Sequence, residues 1–180
     1  GNAVGGIAIF RAGDDGSLTY AGKPSRDGTA LSYTHAEGVV SSAGTLVSAG
    51  DMNNANGAFT ATADGNIYIV NAGGRVTALH YDSAANSIVR VDGYAFTNSN
   101  AWGVVAAADG KTLYVGSNSG HLAIYDIAAN GALTLAGSVD AGAAITTLAI
   151  SADGKSIFTG TRFFNSAAGV RLVSALTTAV

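Results

Sequence analysis

Cysteine is absent from the 180 residues, which excludes a disulfide framework and any thiolate metal site. Proline occurs once and tryptophan once, at Trp102. Glu37 is the single glutamate, and the other eleven acidic residues are aspartate. Aspartate favours turns and glutamate favours helices, so this bias argues against a helical chain. Charged side chains make up only 12% of the sequence, about half the usual share. With nine basic residues and a net charge of −3, the chain has no positive field for nucleic acid or an anionic membrane. Mean hydropathy is +0.30, yet no apolar run approaches the ~18 residues of a membrane-spanning helix. The stretch from Gly103 to Ala108 is short and ends at Asp109-Gly110.

What is present reads as all-β. Glycine is abundant, with 25 residues, and β-branched and aromatic side chains fill the segments between turns. The chain opens at Gly1 with neither an initiator methionine nor a basic leader, so it is expected to be a processed chain or part of a longer one. A surface of Ser, Thr, Asn, Gly and Ala leads to the expectation of a secreted or cell-surface protein.

Internal repetition carries most of the information. Ala63-Asp64-Gly65-Asn66 precedes Ile67 to Val70, Ala108-Asp109-Gly110-Lys111 precedes Thr112 to Val115, and Ala152-Asp153-Gly154-Lys155 precedes Ser156 to Thr159. The three aspartates are spaced 45 and 44 residues apart. An apolar run, Asp-Gly and then an alternating run with an aromatic is a strong hairpin signal. A second unit recurs with the same period. Ala123 to Asp126 leads through Asn130-Gly131 to Leu133–Gly137, and Leu79 to Asp82 leads through Asn86-Ser87 to Gly93. In this alignment His80 falls at the position of Ile124. Ala8 to Arg11 leads through Asp15-Gly16 to Leu18–Gly22 in the same way. Four antiparallel strands in about 44 residues make a β-propeller blade.

The chain is therefore read as one partial propeller domain over 1–180, with about three to four blades. Residues 1–22 supply the third and fourth strands of a first blade. Residues 23–58 form a long loop or a degenerate blade. Residues 59–93 and 102–139 form complete blades, and 145–180 an incomplete final one. An open blade edge invites pairing, so the expected partner is another protein chain or the missing blades of the same protein.

Ala108 to Asn118, with the pattern DGK-x-LYV-x-N, resembles the blade core of lactonase-like (YVTN-type) β-propellers, and the likeness extends over about residues 59–160. The resemblance implies blades, and a family that includes lactone hydrolases, surface-layer-type proteins and repeat arrays. No catalytic motif of the lactonase enzymes maps onto numbered residues, so no catalytic residue is assigned.

Propeller topology puts the first and third turns of each blade on one face and the remaining loops on the other. The stereotyped Asp-Gly turns belong to the first face, and their aspartates read as turn formers. The irregular loops belong to the second, where Trp102, Asn118, His121, Arg162, Phe163 and Phe164 are the candidate ligand-binding residues. A small molecule or carbohydrate is the ligand class expected there. Asp51 to Gly57 departs from the register of a calcium loop and lacks its closing glutamate. His35, His80 and His121 have no metal-ligand spacing, so neither metal nor cofactor is expected. His35 and Glu37 lie two residues apart on the long segment and read as solvated loop residues. A sugar-phosphate substrate would call for several Arg and Lys at its site, and Lys111 and Lys155 lie on the other face. From residues alone, the expectation is a non-enzymatic module for binding, adhesion or assembly. The alternative is a lactonase-like hydrolase of sugar lactones.

Overall fold

The computed structural model describes residues 9–22, 55–71, 74–85, 87–96, 100–161 and 170–174. Among these there is strand and turn but no helix. β1 (Ile9–Ala12) and β2 (Leu18–Gly22) form a hairpin. β3 (Ala55–Ala61), β4 (Asn66–Asn71), β5 (Arg75–Asp82) and β6 (Ser87–Phe96) form a four-stranded sheet in chain order. β7 (Ala101–Ala106), β8 (Thr112–Ser117), β9 (His121–Ile127) and β10 (Leu133–Asp140) form a second. β11 (Ile145–Ile150), β12 (Ser156–Thr161) and β13 (Val170–Ser174) form a three-stranded sheet. Every pairing is antiparallel. The architecture is all-β, with blades stacked as in a propeller. Of the first strands, β7 lies against β3 on one side and β11 on the other, which makes them the innermost strands of the stack.

Alternation along each strand sends side chains to both sheet faces, and here both faces are used. Tyr68, Val70, Val76 and Ala78 of the first full blade meet Ala101, Val104, Leu113, Val115 and Tyr125 of the second in one buried cluster. Tyr114, Leu122 and Ile124, from the other face of the second blade, meet Ile145 and Ile157 of the third sheet. The middle strands β8 and β9 are thus apolar and buried over most of their length, as strands covered on both sides must be. The junction is tight where glycine replaces a side chain. A Cβ on Gly116 would lie 2.3 Å from Ile145 Cγ2, so Ile145 occupies the space a side chain would need.

Register shows which positions repeat. Thr60 pairs with Tyr68, Val105 with Tyr114, and Ala149 with Phe158. Tyr68 and Tyr114 are buried under the following blade, whereas Phe158 at the same place is 39% exposed. The register also corrects the sequence alignment of the third strands. Asn66 pairs with His80 and Thr112 with Asp126, so His80 corresponds to Asp126 and not to Ile124. The Asp64 turn is one residue shorter than the Asp109 turn: Thr62 N–H bonds Asn66 O, but Ala107 N–H bonds Thr112 O. An ungapped repeat cannot follow that change. β3 starts at Ala55, within the segment 23–58 expected to be a long loop or a degenerate blade, and a register shift lies between Ala55 and Phe59. Residues 23–54 lie outside the described residues.

Gly116→Val is expected to lower unfolding free energy by about 1–3 kcal/mol, as overpacking does. Nothing lies within 4 Å of a Cβ built on Gly137, so Gly137→Ala should stay within about 0.5 kcal/mol of the parent. Denaturant midpoints of the two variants check the contrast.

Candidate functional site

The two ends of the blades differ in chemistry. At the turn end, Gly110 N–H bonds Ala107 O at 3.0 Å and Gly154 N–H bonds Ser151 O at 2.9 Å. Gly110 has φ of 70°, a conformation other residues resist. The aspartates accept from the chain two residues on: Lys111 N–H donates to Asp109 at 3.0 Å, Lys155 N–H to Asp153 at 3.1 Å, and Ser17 N–H to Asp15 at 2.9 Å. Ser151 Oγ donates to Asp153 at 2.6 Å. That bond, together with the backbone one, holds the Asp153 carboxyl below its ordinary range, and Ser17 does the same for Asp15. These carboxylates are turn formers.

One polar cluster at this end escaped the sequence reading. Asn66 is 1% exposed. Its Nδ2 donates to Asp64 at 3.0 Å, and Thr62 Oγ1 also donates to Asp64. The Asn66 amide oxygen then faces His80 Nδ1 at 3.0 Å, which makes Nδ1 the donor. The next blade's turn closes over the cluster, and Tyr68 Oη donates to Gly131 O at 3.0 Å. Asp64-Gly65-Asn66, where the other repeats read Asp-Gly-Lys, was the signal available in sequence. The cluster braces two blades.

At the loop end, Ser117 Oγ closes the link between β8 and β9. It lies 3.0 Å from His121 O and 2.9 Å from Ser119 Oγ, and it accepts from His121 N–H at 3.2 Å. Asn118 is exposed, and its N–H donates to Asn100 O at 3.0 Å. His121 is exposed and begins β9, opposite Asp140 of β10. Asp140 accepts from Gly142 N–H at 2.7 Å. Trp102 stands on the innermost strand β7, at a register shift between Ala101 and Gly103. It is half-buried, and its indole Nε1 is fully buried with no hydrogen-bond partner. An orphaned buried donor costs about 1–3 kcal/mol. Thr159 Oγ1 is the other such atom among the described residues, in a strand position that holds Ile69 and Val115 in the other blades.

Of the expected site residues, Trp102 and His121 stand at the start of different strands of one sheet. β9 is two strands from β7 within its sheet, or about 9–10 Å at ordinary strand spacing. Trp102 is therefore near the axis, whereas His121 stands toward the rim. Arg162, Phe163 and Phe164 lie outside the described residues, as do His35, Glu37 and Asp51. Among the described residues, no group of three or more His, Asp or Glu could hold a metal ion. No helix among them is long and apolar enough to cross a membrane.

A stack of antiparallel sheets, two of them four-stranded in chain order, with their first strands adjacent, defines the class as β-propeller. Residues 53–171 match the family described as lactonase, 7-bladed beta-propeller, and the chain belongs to that family. Comparison with curated protein sequences gives no match. Among solved structures, the fold is similar to that of a functionally unknown protein from Desulfotomaculum acetoxidans, with a TM-score of 0.59 and 14% identity over 96% of this chain. It is similar to a proposed 6-phosphogluconolactonase from Bacteroides fragilis, with a TM-score of 0.53 and 17% identity over 87% of this chain. It is also similar to the periplasmic gluconolactonase of Pseudomonas aeruginosa, with a TM-score of 0.50 and 14% identity over 85%. The chain spans 49%, 58% and 42% of those three proteins, respectively. At these identities the likeness is one of fold.

Burial raises the pKa of three tyrosines. Tyr68 is pushed up to about 12 by burial and then by the Asp64 charge. Tyr114 and Tyr125 are also raised, Tyr114 with help from Asp109. The neutral phenol is favoured in the folded state. Its contribution is complete below the ordinary value near 10 and is lost as pH rises toward 12. Stability should therefore fall between about pH 10 and 12, and Tyr68→Phe should flatten part of that fall. Denaturation midpoints against pH, alongside tyrosinate absorbance, measure both.

Proposed function

We propose that this chain is part of a propeller that hydrolyses a sugar lactone. Water adds to the ring carbonyl, the ring C–O bond breaks, and the ring oxygen takes a proton to give the open hydroxy acid. The observation that carries the reading is the match of residues 53–171 to the lactonase family. That match favours hydrolysis over the non-enzymatic module that composition alone suggests. The innermost strands, with the loop end above them, offer the substrate its place near the axis, because ligands of propellers gather where loops converge.

The reading also includes a further blade of the same kind over β11–β13. Phe158 supports it, since Tyr68 and Tyr114 at the same position are each covered by a following blade while Phe158 is 39% exposed. Solution mass by light scattering, compared between the parent and Phe158→Ser, tests this part. A self-associating parent and a monomeric variant are expected. Two monomers of equal solubility would count against it.

Glucono-δ-lactone opens spontaneously, so activity must be a saturable acceleration above that background. Such acceleration is expected, with His121→Ala within about threefold of the parent, because His121 stands away from the axis and a positioned base is worth roughly 100-fold or more. A rate equal to background would sink the lactonase reading. A 100-fold loss in the variant would instead move the chemistry out to the rim.

A further inference from the structure

We propose that Trp102 is a ligand-contact residue, its indole N–H donating to an oxygen of a hydroxylated sugar lactone or the acid formed from it. Three observations converge on it. The first is position: β7 is an innermost strand, and Trp102 is the second residue at its loop end. The second is backbone. The ladder passes from the pair Ala101–Ser117 to the pair Gly103–Gly116 and leaves Trp102 unpaired between them. Such bulges re-aim a side chain and occur often beside active sites. The third is chemistry. Nε1 is buried and has no acceptor, and a buried donor without a partner in a native structure calls for an explanation.

The neighbouring blade supplies a comparison. β11 has the same irregularity, passing from Ile145–Thr161 to Thr147–Gly160. Its unpaired residue, Thr146, satisfies its hydroxyl on Gly160 O at 3.1 Å. The same bulge is thus closed internally in one blade and left with an open donor in the other. Gly103, the next residue of β7, packs closely on the third sheet, since a Cβ there would lie 3.1 Å from both Leu148 Cγ and Thr147 C. Indole offers a donor and no acceptor, which suits a lactone carbonyl or a sugar hydroxyl oxygen. Because Nε1 is covered in this state, ligand binding has to shift what surrounds the indole.

The inference rests on the lactonase reading, and its test separates the two. Trp102 is the single tryptophan of the chain, so emission reports on this residue alone. Titration with D-gluconate, the stable product, should give a saturable change in tryptophan emission. Trp102→Phe keeps an aromatic ring and removes the N–H. It should retain the parent's melting temperature, bind D-gluconate roughly tenfold more weakly by calorimetry, and lose a similar factor in kcat/KM on glucono-δ-lactone. Lactone hydrolysis with unchanged emission and equal affinity in the variant overturns the inference and leaves the lactonase reading intact. No binding of D-gluconate and no acceleration of ring opening overturns both. Should Trp102→Phe lose its fold, the emission titration of the parent decides alone, an unchanged spectrum at saturating hydrolysis counting against the inference.

Discussion

Every blade in this chain must bury both of its faces, and the rest of the structure follows from that constraint. A four-stranded sheet with one bare face has no core of its own, so stability comes from the junctions. Tyr68 and Val70 reach into the second blade, and Tyr114 reaches into the third. The same constraint explains the small residues. Gly116 faces Ile145, and Gly103 faces the backbone of β11, because at these two places neighbouring sheets approach too closely for a side chain. It also explains why charge is scarce, since a strand covered on two sides has little use for it.

The two ends of the blades have separate tasks. At the turn end, aspartates, a glycine at positive φ and short backbone bonds reverse the chain in the fewest residues. The Asp64–Asn66–His80 cluster adds a polar brace beneath the first junction, capped by the Gly131 turn. At the loop end, polar groups of the described links are partly spent on the links themselves. Ser117 spends its hydroxyl on the β8–β9 link. Trp102 Nε1 stands out there as a donor with nothing to bind within the protein. Conserving the blade and varying the loop end is how one fold can host many chemistries, and for that reason the lactonase assignment rests on the family match and not on the blades.

Much of the fold was legible because its devices are local. Asp-Gly beside an alternating run specifies a hairpin without reference to anything distant, and the spacing of Asp64, Asp109 and Asp153 specified the blade. Distant pairing was less legible. Tyr81-Asp82 and Tyr125-Asp126 look alike, yet hydrogen-bond register offsets them by two residues, and the shorter Asp64 turn accounts for one of the two. The loop-end candidates were chosen for residue type. Type could not show that Trp102 and His121 stand at different distances from the axis, since that separation is built by strand order across the sheet.

By itself the sequence determined the all-β class, the period, the turn chemistry and the blade family, since each depends on contacts between residues close in the chain. The tertiary structure alone decided which side chains fill the junctions and that Asn66 orients His80. It alone decided that Phe158 stays exposed where its counterparts are covered, and that the Trp102 donor is buried without a partner. Those outcomes depend on blades about 44 residues apart meeting face to face, and no local pattern encodes the exact height at which two sheets interlock.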